Sequence, residues 1–211
     1  MNFEVNEKVG DNHLHVEQND LYELSKRIFD IVMSLLAIII SIIPSIFISI
    51  AITIDSKGPV IYKQERLGLN GKPFYMYKFR SMYMDAEKNG IQWAEKNDSR
   101  CTRVGNVIRK YRLDELPQFI NILKGEMSFV GPRPEREYFY DEFEKYIPHF
   151  RQRLLVKPGL TGLAQVNGGY DLSPEEKIVY DLEYIKKKSM TLDLLCILKT
   201  VKLVFTHEGA R

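Results

Sequence analysis

One stretch of the chain has no polar rhythm at all. Residues 28–54, IFDIVMSLLAIIISIIPSIFISIAITI, carry a single charge, Asp30, near their start and are too apolar on every side for a helix lying on a soluble domain. About 20 such residues cross a bilayer as a helix, so this segment is predicted to lie in a membrane. It begins well inside the chain and no small-residue cleavage site follows it, so it reads as retained and not as a removable signal peptide. Pro44 lacks the N–H for the helical i to i−4 bond and its ring crowds the preceding turn, so a kink is expected there. Two readings follow: a kinked spanning helix, or a re-entrant hairpin with arms 31–43 and 45–54 that enters and leaves by one face. In the second, Ser41 and Ser45 are placed to satisfy the freed carbonyls. Lys26 and Arg27 precede the segment and Lys57 follows it, so the positive-inside bias does not favour opposite sides.

Elsewhere the pattern is that of a folded domain. Residues 1–20 are polar and aperiodic, a flexible tail. Val60 to Leu67 and Pro73 to Phe79 flank Asn70-Gly71, the signature of a β-hairpin. Residues 84–103 are polar, with turn signals at Lys88-Asn89-Gly90 and Asn97-Asp98-Ser99, and read as helix fragments and a loop. Thr102 is placed to cap a short helix whose apolar face carries Val104, Val107, Ile108 and Tyr111, with Arg109 and Arg112 together on another face. Asp114-Glu115-Leu116-Pro117 opens a second helix, with Phe119, Ile122 and Leu123 as its apolar stripe. Gly131-Pro132-Arg133-Pro134 is a rigid loop, residues 135–150 read as a helix packing Phe139, Phe143 and Tyr146, and residues 157–162 form another tight loop. Near the end, Leu194, Ile197, Leu198, Val201 and Phe205 recur at helical spacing beside Lys199 and Lys202, with Lys186, Lys187 and Lys188 upstream. The pattern fits equally a helix on an anionic membrane surface and one packed on the core.

Composition narrows the function classes. The 211 residues are 45% hydrophobic and 27% charged, and 30 basic against 28 acidic residues give a net charge of +2, which offers nucleic acid no general attraction. Cys101 and Cys196 match no disulfide, zinc or redox spacing, and His13, His15, His149 and His207 are scattered. A reducing, cytosol-facing location fits. No GxxxxGK[ST], no GxGxxG after a strand and no GxSxG occurs, so P-loop, Rossmann and serine-hydrolase chemistry have no support.

The densest chemistry surrounds Asp114 and Glu115. Arg103, Arg109, Lys110 and Arg112 come just before them and a helix start just after, a setting that favours bound phosphates. Two carboxylates there are expected to keep low pKa values, leaving Asp114 ionised as a nucleophile or metal ligand, and oxygen ligation beside phosphates points to Mg²⁺ held by Asp114 and Glu115. Taken alone, an Asp-Glu dipeptide reads first as a solvated helix start with ordinary capping.

Taken together, KRIFDIV from Lys26, the proline-broken apolar segment, DSKGPVIYKQERLGLNGKPFYMYKFRSM, RLDELPQFINILKGEMSFVGPRPE and KPGLTGLAQVNG closely resemble the bacterial sugar transferase family of monotopic polyprenyl-phosphate phosphoglycosyl transferases, which initiate capsule and exopolysaccharide synthesis. The resemblance implies an α+β fold, a mostly helical cytoplasmic domain with a small β-hairpin, held by a proline-broken re-entrant helix and interfacial amphipathic helices. It divides the chain into a tail (1–20), a membrane hairpin (21–57) bent at Pro44, and a catalytic domain (58–211) facing the cytoplasm from the bacterial inner membrane. In the family the bend is commonly Ser-Pro, whereas here it is Ile43-Pro44.

It further implies that Asp114 attacks the sugar-bearing phosphorus of a UDP-sugar, releasing UMP and leaving a phosphosugar-aspartyl intermediate. Undecaprenyl phosphate then takes up the phosphosugar, with Glu115 assisting through Mg²⁺ or as a base. Catalytic Lys78 and the substrate-binding Arg80, Arg109, Arg112 and Arg133 are the candidates for holding donor and acceptor in line, with Arg66 a weaker one, and Thr161, Gly162 and Gln165 shape a substrate loop. A glycosyltransferase passing the sugar alone, with release of UDP, and a catalytically silent membrane scaffold are the competing readings. The sugar is left open among glucose, galactose and their N-acetylated relatives, and the oligomeric state between monomer and homodimer.

Overall fold

The computed structural model describes residues 19–88, 90–91 and 98–206, apart from the side chains of Tyr170, Phe205 and Thr206. Most of the expected tail, residues 89 and 92–97 of the 84–103 loop, and the side chains of His13, His15, Phe205 and His207 lie outside the described residues. The described chain is mostly helical, with two small two-stranded sheets.

The apolar segment forms one long helix, α1 (Asp20–Asp55). Asn19 caps its start by accepting from the Tyr22 N–H at 3.1 Å, and Asp20 and Glu23 in the first turn suit the positive end of the helix dipole. Helical structure runs through Pro44, so the arms expected as separate pieces belong to one element. Of the serines near the proline, Ser41 donates to the Ile38 carbonyl at 3.0 Å, whereas the Ser45 carbonyl receives its bond from Ser49 at 2.6 Å. No residue between 35 and 47 is buried, and Ile40 and Phe47 are 75% and 68% exposed. A helix apolar all round with nothing packed on it is suited to lipid.

The ends of α1 are tied to the domain by polar contacts. At the start, Lys26 lies 2.6 Å from Asp193, which also accepts from Tyr22 at 3.0 Å and Tyr184 at 2.8 Å. Arg27 donates to the Ile122 and Leu123 carbonyls, both at 2.8 Å, and Asp30 accepts from Ser128 Oγ at 3.1 Å and the Phe129 N–H at 3.0 Å. At the far end, Ile48 and Ile52 are buried with Phe79 and Ile108, and Asp55 accepts from the Val104 N–H at 3.0 Å.

The expected hairpin is present as β1 (Ile61–Leu67) and β2 (Pro73–Phe79), antiparallel from Ile61 opposite Phe79 to Leu67 opposite Pro73. Its connection is longer than a two-residue turn; Asn70 (φ 56°) and Gly71 (φ 74°) take the left-handed backbone that this dipeptide tolerates. Helix α2 (Arg103–Lys110) starts at Thr102, whose hydroxyl accepts from the Gly105 N–H at 2.9 Å. Helix α3 (Gln118–Lys124) begins later than the sequence suggests, with Pro117 at its N-cap.

Two expectations change beyond α3. Segments read as loops form a parallel pair, β3 (Ser128–Val130) with β4 (Gly159–Thr161), in which a Cβ on Gly159 would lie 2.1 Å from the Gly131 nitrogen. Strands this short give too few alternating positions to show in a pattern. The helix expected over 135–150 is α4 (Glu137–Glu144) followed by a separate 3₁₀ segment, Phe150–Leu155. Pro148 disfavours helical backbone at Ile147, and His149 turns left-handed at φ 64°. The aromatic packing survives the break, with the rings of Phe143 and Phe150 5.1 Å apart.

A short helix, α5 (Leu163–Val166), leads to α6 (Pro174–Lys187), which opens with a reciprocal capping box between Ser173 and Glu176. The chain then enters α7 (Met190–Thr206). The main core joins Leu67, Tyr140, Phe150, Ile178, Leu182 and Cys196. Helix α7 buries Asp193 and Cys196 and leaves Leu194, Leu195, Leu198 and Val201 exposed, so one face packs inward and another apolar face points out.

Replacing Asp193 with Asn would leave the largely buried Lys26 ammonium beside a neutral group. A loss of about 3 kcal/mol is expected, read as a lower melting temperature of the detergent-solubilised full chain. Lys188→Ala, which removes an ion pair to the half-exposed Glu23, is expected to cost under about 1 kcal/mol in the same measurement.

Candidate active site

Because side chains alternate along a strand, Tyr62, Gln64 and Arg66 of β1 share a face with Lys78 of β2, opposite Tyr62 in the register. That face lines a cleft of about 300 Å³, closed by residues from α2, the turn after it, the Gly131-Pro132-Arg133-Pro134 loop and α5.

Asp114 and Glu115 lie in this cleft, on a 3₁₀ turn (Leu113–Glu115) and not at the first turn of α3. The turn is set by Arg112, whose backbone is left-handed at φ 55°, and by Leu113 and Leu116, which pack with Ile48, Ile52, Phe79 and Ile108. The last turns of α1 therefore pack against the turn that carries the carboxylates. Since α2 ends at Lys110 and the chain reverses at Arg112, Arg109 and Arg112 do not share a helix face as expected, yet both line the cleft.

The two carboxylates have different surroundings. Glu115 Oε1 accepts from Arg133 and lies 3.6 Å from Lys78 Nζ. Asp114 is 8% exposed and makes no hydrogen bond or ion pair among the described residues. Burial pushes Asp114 up to about 6, helped by the negative charge of Glu115 and opposed by Lys78, Arg109 and Arg133. Burial also acts on Glu115, but Arg133 and then Lys78 outweigh it and hold the group below the usual carboxylate range. The expectation that both pKa values are low is corrected for Asp114, because its neighbour takes the close cations. Asp114 still loses its proton below neutral pH.

The other predicted residues divide. Lys78, Arg109, Arg112, Arg133 and Gln165 line the cleft, and the Gln165 amide has no hydrogen-bond partner among the described residues. Arg80 also borders it but is 3% exposed, and it donates to the Ser56 carbonyl at 2.8 Å and to the Lys57 carbonyl, tying the end of α1 to β2. Thr161 does not line the cleft; its hydroxyl is 2.6 Å from that of Thr200, joining β4 to α7. Gly162 lies against the Gly131 carbonyl, 2.1 Å from where its Cβ would be, so it serves loop packing. Arg66 reaches the cleft while bonded to Glu135 at 2.9 Å and the Pro134 carbonyl at 3.1 Å.

Arg100, Arg136, Arg153 and Lys177 also line the cleft and were not expected. They come from four separate segments with no local motif, so only the fold brings them together. For Arg136, adjacency to the Gly131-Pro132-Arg133-Pro134 loop was the one available signal.

A model of the family described as bacterial sugar transferase matches residues 21–207. The chain belongs to the bacterial sugar transferase family. This transferase is 42% identical over 213 residues, 97% of the chain and 50% of the relative, to a UDP-N-acetylgalactosamine-undecaprenyl-phosphate N-acetylgalactosaminephosphotransferase of Aeromonas hydrophila. It is 41% identical over 201 residues, 92% of the chain and 42% of the relative, to a UDP-glucose:undecaprenyl-phosphate glucose-1-phosphate transferase of Xanthomonas campestris pv. campestris. An enzyme with the same name from Caulobacter vibrioides is 37% identical over 193 residues, 89% of the chain and 72% of the relative. The transferase thus spans about half the length of the first two.

The shifted carboxylates give a prediction for stability. Asp114 binds its proton more tightly folded than unfolded, so its ionisation works against folding as pH rises from about 4 through about 6. In metal-free buffer near neutral pH, Asp114→Asn is expected to stabilise the transferase by about 3 kcal/mol, a gain that fades as pH falls from about 6 to about 4. Glu115 has the opposite sign: its lowered pKa supplies stability above its ordinary value that is lost on acidification, so Glu115→Gln is expected to destabilise at neutral pH. Superimposable melting curves for Asp114→Asn and the parent at every pH would contradict this account.

Proposed function

We propose that the transferase moves a sugar 1-phosphate from a UDP-sugar to undecaprenyl phosphate, the first membrane step of capsular or exopolysaccharide synthesis. The observation that carries this reading is the division of the carboxylate pair: Glu115 is engaged by Arg133 and Lys78, while Asp114 beside it makes no ion pair among the described residues, in a cleft lined by arginines and lysines. A nucleophile needs an accessible lone pair, and the phosphates it meets need cations. The relatives' names supply the donor and acceptor classes.

In the proposed sequence, an Asp114 carboxylate oxygen attacks the sugar-bearing phosphorus. A P–O bond forms, the bond from that phosphorus to the bridging oxygen breaks, and UMP leaves. An oxygen of undecaprenyl phosphate then attacks the same phosphorus, freeing Asp114 and giving a polyprenyl diphosphosugar. No proton or co-reactant is needed to balance either transfer. Lys78, Arg109, Arg112 and Arg133 draw together phosphates that would otherwise repel, and orient them. The donor set fits Mg²⁺: the Asp114 oxygens and the second Glu115 oxygen are hard ligands of the kind this ion takes one or two of, beside phosphate and water. When bound, the ion supplies positive charge for the phosphoryl oxygens. Glu115 serves by orienting Arg133 and Lys78 and by offering its second oxygen as ligand or base.

The same proposal places α1 as a re-entrant hairpin bent near Pro44, with the domain on the cytoplasmic face of the inner membrane. Its support is that Asp30 and Asp55 both bond to the domain, although a straight helix would set them about 37 Å apart. Residues 35–47 between them are not buried, so the domain does not line that path. The exposed apolar face of α7 is assigned to the membrane surface on the same reading.

With radiolabelled UDP-sugars and undecaprenyl phosphate, the parent is expected to form lipid-linked product and UMP in equal amounts, and Asp114→Asn to lose at least about 10³-fold in turnover. Release of UDP would instead identify transfer of the sugar alone. Full turnover by Asp114→Asn would exclude the aspartyl intermediate, and no turnover by the parent with any sugar would favour a silent scaffold. For topology, single cysteines at Asn19 and Lys57, introduced after Cys101 and Cys196 are changed to Ser, are expected to react with an impermeant thiol reagent from the same face of the membrane.

A further inference from the structure

Pro132 and Pro134 have no amide hydrogen, so the loop carrying Arg133 has few ways to be held other than through its carbonyls. Four consecutive carbonyls are held. The Gly159 N–H donates to that of Pro132 at 2.9 Å, Arg153 Nη2 to that of Arg133 at 3.0 Å, Arg66 Nη1 to that of Pro134 at 3.1 Å, and the Leu67 N–H to that of Glu135 at 3.1 Å.

Two of those donors are guanidinium groups that are themselves fixed. Arg153 is 3% exposed; its Nε donates to Asp181 at 2.7 Å, and its guanidinium carbon lies 4.8 Å from the centre of the Phe150 ring. Arg66 donates to Glu135 at 2.9 Å and, through Nη2, to Gln64 at 2.6 Å. A buried ion pair such as Arg153 with Asp181 is a weak source of stability, since packed apolar side chains often do as well. What apolar side chains do not replace is the second arm of the fork, which reaches the backbone of the residue that clamps Glu115.

We infer that Arg153, fixed by Asp181, and Arg66, fixed by Glu135, are positioning residues that hold Arg133 in place on Glu115. The inference rests on the phosphoglycosyl transfer proposed above. Neither residue has to touch the reacting atoms in this role. By fixing two adjacent carbonyls they leave the Arg133 side chain on a backbone that does not have to be ordered when substrate enters.

The test uses Arg153→Lys, which keeps a cation opposite Asp181 but lacks the planar fork that serves Asp181 and the Arg133 carbonyl together. In the full chain, kcat is expected to fall about 10- to 100-fold while the KM for the UDP-sugar changes less than about threefold. In a cycle with Arg133→Lys, the double variant is expected to be about as slow as the slower single variant. Costs that multiply, or a lower melting temperature with unchanged kcat, would overturn the inference. Hydrogen exchange supplies a readout independent of turnover: the Gly159 and Leu67 amides, which donate to the Pro132 and Glu135 carbonyls on either side of the two held by arginine, are expected to exchange about 10-fold faster in Arg153→Lys without substrate, and unchanged exchange would overturn it even for an inactive chain. If Arg153→Lys does not accumulate, Arg66→Lys takes its place in every arm. A parent that forms no lipid-linked product refutes the transfer reaction, whereas an active parent with multiplicative costs refutes only the positioning.

Discussion

A helix that is apolar on every side can be held by a water-soluble domain only through its ends, and the polar docking of α1 is the constraint on which the rest of this structure depends. Lys26, Arg27 and Asp30 each meet a different element: α7, the C-terminal carbonyls of α3, and β3. Asp55 meets the start of α2. These contacts are directional, so they fix how the two ends of α1 sit on the domain in a way that hydrophobic contact alone does not. The cleft inherits that geometry, because the leucines on either side of Asp114 and Glu115 pack with Ile48 and Ile52. The carboxylate pair and the end of α1 are consequently parts of one packed unit.

Within the cleft, the decisive feature is unequal treatment of like charges. Two adjacent buried carboxylates are unfavourable together, and the structure relieves one of them by giving Glu115 the close cations Arg133 and Lys78. Asp114 is left with burial and a negative neighbour, an arrangement that opposes folding but keeps its lone pairs uncommitted. Active sites commonly trade stability for reactivity in this manner. The loop that carries Arg133 is correspondingly over-determined, with its backbone oxygens bonded one after another.

Much of this was legible in the sequence where the signal is local. The apolar run of α1, the Asn70-Gly71 hairpin and the Thr102 cap each depend on residues close in the chain, and each element stands where its residues imply. The Ser173 to Glu176 capping box was equally readable but drew no reading of α6. What the sequence hid was non-local. Strands of three residues, β3 and β4, exist because glycines at 131 and 159 let two backbones meet, and nothing in either stretch alone announces that contact. The Asp-Glu pair was assigned to a helix start because Pro117 suits one; the left-handed Arg112 displaced it to a preceding turn. Arg80 and Thr161 matched family motifs, yet both terminal nitrogens of Arg80 are bonded to the Ser56 and Lys57 carbonyls and the Thr161 hydroxyl to Thr200. Arg153 matched no motif and took a place in the cleft because Asp181 lies across the core from it.

The partner of Lys26 lies far away in chain order, since Asp193 belongs to the last helix described. A chain made from its N-terminus therefore exposes the basic pair and the apolar run long before the acid that neutralises Lys26 exists. Until α7 has been made, the start of α1 lacks its ion pair to the domain. Closure of Lys26 on Asp193 is accordingly a late event in folding, possible only once synthesis has passed through α7.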